Sequence, residues 1–446
     1  MYNNMDEAIE EDTFTPQYLQ KNEPLFSWMK SPACLVLFMF VVSLMSLYGA
    51  GQQQMFGIIL VFGSFIAVMI RSGHIIFPLP LEMKMYIAWV IWASITGPFV
   101  AMHKITLWHG GIRQLLQVTV MIIAVYCIIR IHKTLALKAM AFGLICGATL
   151  QALVARSSVS GLGANLSNLG STERAMGLAD NSNTLGMMMI WGLLGMFLLW
   201  RQRQSATHKL IKFTTCGLLP IFIYGVLASG SRKVIVSFIF VLLLWLLYAI
   251  APRVRARAII WRLGMAVILV FTSGPVIFYL LNNTLAGKRM MAKSASGASV
   301  VEAEETRMIM YQEGLGVFFR NPLLGVGVNQ FQYYSESGLY SHSNYIEPLA
   351  CTGLLGFILF QGIFIIPLVR AWRLNKQIQQ LSMLYLVKVV VIANLSILLL
   401  GLGSPFYSST MVMTLIAALS AITYAWQQEY LQSEQLYLDE SEYSQI

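Results

Sequence analysis

The chain has 446 residues, of which 57% are apolar and 11% charged, where a soluble domain carries about 25% charged residues. That excludes an ordinary soluble domain and leaves an all-α polytopic membrane protein, because only segments of about 20 apolar residues with internally paired backbones cross a bilayer; weak alternation excludes a β-barrel. The formal charge of +10 conceals a split, with six acids and two lysines in residues 1–30, five acids and no base in 427–446, and 28 basic against nine acidic residues between. Basic charge spread among apolar spans suits orientation, membrane lipid headgroups and phosphate ligands, and excludes nucleic acid as a partner.

In chain order, residues 1–33 form an acidic tail with no cleavable signal peptide expected, since the first apolar run starts near Cys34. Nine spans follow within 34–281, near 34–50, 55–71, 84–102, 114–131, 138–155, 183–200, 214–229, 233–251 and 261–281. The second is short and the seventh is interrupted by Pro220. A long polar loop occupies 282–342, and three more spans lie near 343–369, 384–403 and 408–426 within the region 343–426. A second acidic tail, 427–446, reads as disordered like the first. The expected total is about 12 transmembrane helices.

An even count puts both termini on one side. With the termini inside, 19 of the 30 basic residues fall in inner segments and six in short outer loops. The positive-inside rule therefore predicts cytoplasmic termini and an outward-facing, periplasmic 282–342 loop, in the inner membrane of a bacterium if Gram-negative. The five cysteines (Cys34, Cys127, Cys146, Cys216, Cys351) sit in or beside apolar runs at no ligand-like spacing, and read as small core hydrophobes.

Residues 156–182 are rich in Gly, Ser and Asn and read as an outer loop. Within the long loop, Thr306 to Phe319 carries apolar Met308, Ile309, Leu315, Phe318 and Phe319 at helical spacing, which predicts a short amphipathic helix on the outer bilayer face. Asn321-Pro322 ends it, and the glycines of LLGVGVN make the following turn.

The informative charges are those that defy the topology. Arg232 sits in ASGSRKVIV, a very short outer loop whose glycine and serines leave amides free to approach an anion. Arg307 opens the amphipathic helix, and Arg174 lies near Asp180, Asn181 and Asn183. A guanidinium fork grips phosphate oxygens in pairs, so arginines converging at headgroup level fit a lipid-linked diphosphate. The bland reading of a single outer arginine, or of Lys233, Arg113 or Arg320, is a side chain snorkelling to headgroups. His342 stands one turn above a span in YSHSNYIEPLACTGLLG, with Asn344 beside it and Glu347 five residues on. Histidine, with a pKa of about 6.5, can take a proton from a sugar hydroxyl; its bland reading is a hydrogen-bonded interfacial residue. The run GLLGFI from Gly353 reads by itself as close helix packing. H-E-x-x-H, P-loop and D-x-D patterns are absent, and Lys388 is the one plain charge within the expected spans, which argues against a proton-coupled transporter.

With SGSRK at 229–233, Arg307 in a long outer loop, NPLLGVGVNQF at 321–331 and HSNYIEPLACTGLLG at 342–356, the region from Leu218 to Val369 resembles the O-antigen ligase and O-antigen polymerase superfamily. These are bacterial membrane glycosyltransferases acting on undecaprenyl-diphosphate-linked glycans. His342 and Gly353 are separated by ten residues, matching the His-x10-Gly pattern of the ligases. The resemblance implies a metal-independent transferase without cofactor. It places Arg232 and Arg307 on the donor diphosphate and His342 at the reacting centre, with Arg174, Lys233, Glu347 and Asn344 supporting. The spacing favours the ligase branch, with lipid A core as acceptor, over polymerases that lengthen a growing glycan. A transporter or flippase of such lipids is the rival from another class, and would line a central cavity through several spans with charge.

Overall fold

The structure, a computed structural model, describes residues 31–47, 78–160, 175, 177–179, 181–200, 206–249, 264, 299–336 and 338–443. Side chains of 156–160, 206–216, 299–307 and 436–443 are outside that description, as are the expected spans 55–71 and 261–281 and both extreme tails. Among the described residues every regular element is a helix. In order these are α1 (Pro32–Leu47), α2 (Leu81–Val100), α3 (Lys104–His132), α4 (Thr134–Ser160), α5 (Ser182–Trp200) and α6 (Ala206–Ser229), then α7 (Arg232–Ala249), α8 (Ser299–Arg320), α9 (Ile346–Gln377), α10 (Leu381–Gly401) and α11 (Thr410–Tyr443).

Eight of these helices are long and apolar enough to cross a membrane, and two shorter apolar stretches, Pro32–Leu47 and Gly217–Ser229, accompany them. Together they account for ten of the twelve expected spans; the other two are those outside the described residues. The protein is a polytopic all-α membrane protein. Pro220 does not divide the seventh expected span, because α6 continues through it. The second acidic tail departs from expectation: α11 stays helical as far as Tyr443, and Glu429 on it pairs with Lys133.

The packing follows from where small residues fall. α5 and α11 are buried nearly all round and form the centre, whereas α2 and α7 have less than half of their spans buried. Gly143 and Gly147 on α4 let α1 approach so closely that an added Cβ would meet Met39 O and Ser46 Cβ, at 2.7 and 2.3 Å. Such small-xxx-small spacing is how apolar helices gain contact when lipid is as apolar as their side chains.

α9 is two helices. Gly353 has φ 68° and ψ −173°, which breaks the hydrogen-bond ladder. A first short piece from Ile346 leads to the break, and a long span follows it. Seventeen residues beyond the break, about 26 Å along the helix at 1.5 Å per residue, Arg370 forms a buried two-pronged ion pair with Glu82 of α2, at 2.5 and 2.8 Å. Ser420 of α11 donates to Glu82 Oε1 at 2.6 Å. Tyr424 turns its ring toward both Arg370 and Arg130. Lys388 is therefore not the one charge inside the bundle. The sequence reading placed Glu82 and Arg370 in connections because α2 and α9 extend beyond their apolar windows.

Candidate functional site

The opposite end of the bundle gathers the ends of α2, α6 and α10 and the starts of α5, α7, α9 and α11. The residues leading into α9 carry its most constrained backbone. His342 has φ 56°, a left-handed conformation uncommon for a residue with a side chain. Hydrogen bonds on both sides hold it there. The Ser341 amide donates to Glu347 Oε2 at 2.6 Å, the Ser343 amide to Ser341 Oγ at 3.3 Å, and the Asn344 amide to Gly401 O at 2.8 Å. Ser343 Oγ in turn accepts from the amides of Tyr345 and Ile346, at 3.2 and 3.3 Å, satisfying donors at the start of α9. The His342 ring lies against Tyr340, with centroids 4.0 Å apart.

The break at Gly353 explains the segment 321–331. Where α9 is interrupted, its carbonyls and amides lose helical partners, and the loop after α8 supplies new ones. Val326 and Gly327 amides donate to Ala350 O and Cys351 O at 3.1 and 2.8 Å, and the Leu354 amide donates to Pro322 O at 2.9 Å. Contact is close enough that a Cβ on Gly353 would sit 2.3 Å from Leu323 O. Gly353 is thus a backbone junction and not the helix-packing glycine its sequence context suggests. Gln330, fully buried, completes the seat by accepting from the His103 amide and donating to His103 O, at 2.9 and 3.1 Å.

Between these elements lies a cavity of about 270 Å³. His342, Tyr340 and Asn329 line one side, Asn181, Asn183 and Thr184 at the start of α5 another, and Ser404 to Ser409 a third. Met187, Met188, Trp191, Met411 and Val412 make its apolar floor. Asn329, like His342, is held at positive φ, 58°. Burial, with the Glu347 carboxylate adding to it, pushes the Tyr407 hydroxyl well above its ordinary value, so it stays protonated. Amides, hydroxyls and aromatic faces over an apolar floor can hold a polyhydroxylated ring, and His342 brings an imidazole, a group able to accept a hydroxyl proton, to the lining.

The other expected site residues distribute as follows. Arg232 is half-buried at the first position of α7, on the cavity's end of the bundle but not in its lining. Two amides beside it are not free for an anion, since Gly230 donates to Leu227 O and Ser231 to Ser229 Oγ. Lys233 reaches Gly403 O and Ser404 Oγ, both at 2.5 Å, and so braces the cavity wall. Glu347 holds the backbone before His342, and Asn344, 1% exposed, accepts from the Phe406 amide at 2.9 Å. Arg307 belongs to α8, which runs from Ser299 and is longer than expected; its side chain lies outside the described residues, as does Arg174 altogether. The exposed face of α8 carries Met308, Ile309, Leu315 and Phe319, the amphipathic pattern anticipated. Arg320 is exposed and donates to Gly316 O. Of the cysteines, Cys34, Cys127 and Cys351 are buried, but Cys146 faces outward.

The wall 404–409 was missed by sequence reasoning. Its signal was available: Ser-Pro-Phe-Tyr-Ser-Ser is a polar interruption between two apolar spans, passed over because it is short and uncharged.

Residues 217–361 match the family model described as O-antigen ligase. The match runs from α6 through α7, α8 and the break in α9, and so contains Arg232, Arg307, His342 and Gly353. No curated protein matches the chain. Over residues 217–361 this multi-pass membrane protein is similar to the O-antigen ligase family.

Proposed function

We propose that the protein is a glycosyltransferase that moves a glycan from an undecaprenyl-diphosphate carrier to a sugar hydroxyl on the periplasmic face, as an O-antigen ligase with lipid A core as acceptor. The observation that carries this reading is His342, a residue of the family-matched region that is strained in backbone and set on the wall of a sugar-sized cavity. His342 accepts the acceptor's hydroxyl proton as that oxygen bonds to the anomeric carbon. The bond from that carbon to the diphosphate oxygen breaks, and its electron pair leaves with undecaprenyl diphosphate. Arg232 and Arg307 hold the departing charge, the electrostatic part of such catalysis. Lys233, Glu347 and Asn344 keep these groups in register, and Arg174 joins the donor-side arginines.

Purified protein given a lipid-diphosphate donor and each candidate acceptor tests the reading. Glycan joined to lipid A core supports the ligase. Lengthened donor glycan would instead make the protein a polymerase using the same site, and movement of donor across vesicles without transfer would overturn the enzyme reading.

A further inference from the structure

Three separate parts of the site end their polar contacts on one short stretch, the connection Leu402–Ser409 between α10 and α11. From the start of α7, Lys233, next to Arg232, donates to Gly403 O and Ser404 Oγ. From the His342 loop, the Asn344 side chain accepts the Phe406 amide, while its own amide caps α10 at Gly401 O. From α8, which carries Arg307, the Tyr311 hydroxyl donates to Leu402 O at 2.6 Å. The same stretch supplies Ser404 to Ser409 to the cavity wall. Asn344 is locked from behind as well, since Gln361 Nε2 donates to its carbonyl at 2.8 Å.

We propose that Leu402–Ser409 is the register piece of the site and that Asn344 is its principal positioning residue, fixing His342 relative to the helix starts that bear Arg232 and Arg307. This rests on the transferase reading above. A displacement reaction needs the acceptor oxygen and the donor carbon within about 3.5 Å and in line, and a misplacement of about 1 Å costs about 10²-fold in rate. A side chain that ties the base-bearing loop to the opposite wall therefore acts on turnover and not on the grip of the diphosphate. The stretch lies outside the family-matched residues, so the site is incomplete without the chain beyond them.

The test uses the full chain in nanodiscs. Asn344→Ala is expected to lower kcat by about 10²-fold while donor KM stays nearly constant, and Asn344→Asp, which keeps the accepting oxygen, is expected to recover most of the loss. Lys233→Met removes the brace on the same wall from the other side. Its combination with Asn344→Ala is expected to fall well short of the product of the two single losses, as for residues sharing one element. Multiplying losses, or kcat unchanged in Asn344→Ala, would overturn the proposal. An activity-independent arm follows maleimide labelling of Ser408→Cys above the labelling of the parent chain. Labelling is expected to speed up severalfold when Asn344→Ala is added, and unchanged labelling would overturn the register role. A wild-type chain that transfers no glycan, yet shows this labelling response, would remove the transferase reading and leave the register piece standing.

Discussion

Glu82 and Arg370 at one end of the bundle, and His342 with its neighbours at the other, are polar groups set among apolar helices, and their surroundings differ in kind. The ion pair is closed: both carboxylate oxygens meet the guanidinium, Ser420 adds a donor, and the two side chains are 0% and 9% exposed. Among the described residues neither Glu82 nor Arg370 has a left-handed backbone, and the positive φ of Lys133 at this end, 47°, lies at the turn between α3 and α4. The groups around His342 open onto a cavity, and their contacts hold main chain in left-handed conformations that cost about 1–3 kcal/mol each. Burial of charge in a membrane bundle does not by itself mark the working end. The proposed site rests instead on polar groups whose partners fix a backbone beside open space.

The largest effect expected from this contrast is at His342. His342→Ala should lower transfer by about 10²–10⁴-fold, the usual contribution of a general base, while the melting temperature in detergent stays within error of wild type. Transfer near the wild-type rate would remove the histidine from the chemistry and erase the contrast at its stronger end.

The far end should respond in the opposite sense. Arg370→Met leaves Glu82 buried without its cation and should cost about 3–5 kcal/mol of stability, read as a drop in melting temperature. Transfer per folded molecule should be unaffected. Adding Glu82→Leu should restore most of the stability, because replacing both members of a buried pair with apolar groups is close to neutral. Loss of transfer in a stably folded double variant would show that the two ends are coupled.

Two glycines sharpen the comparison further. Gly353 and Gly338 have nearly the same φ, 68° and 65°. At Gly353 an added Cβ meets Leu323 O at 2.3 Å, whereas at Gly338 it meets nothing within 4 Å. Gly338→Ala should therefore cost only the left-handed penalty of about 1–2 kcal/mol. Gly353→Ala should cost more and reduce transfer as well, because the 321–331 loop loses its seat. Equal stability losses in the two would mean the close contact at the break is relieved by small movement.

The helices were legible because composition and run length report them directly; all ten expected spans that fall on described residues have a counterpart. His342 is conspicuous in the sequence as a titratable residue at a span mouth, and the structure sets it on the cavity wall. The break at Gly353 was not legible, since the groups that replace its lost helical partners belong to a loop 22 to 32 residues earlier. Nor was the 404–409 wall, which is built from uncharged residues that acquire meaning only when α5 and the His342 loop fold against them. Glu82 and Arg370, 288 positions apart, looked like ordinary interfacial charges because nothing in one segment announces a partner in another.

Among the described residues, the smallest effect should come from the ion pair that is both distant from the cavity and open to its surroundings. Lys133, at the junction of α3 and α4, pairs with Glu429 on the last stretch of α11, with side chains 35% and 43% exposed. Exposed pairs of this kind contribute about 0.2–1 kcal/mol, so Glu429→Gln should barely move the melting temperature. From Glu429 to Tyr443 the chain is helical, where its acidic sequence predicted disorder, and Glu429 meets Lys133 at the end of the bundle away from His342. Deleting 429–446 should therefore leave kcat and the KM for donor unchanged. If the truncated chain folds to the same melting temperature but transfers glycan more slowly, the helical tail takes part in the reaction cycle, and the division between a closed end and a working end no longer holds.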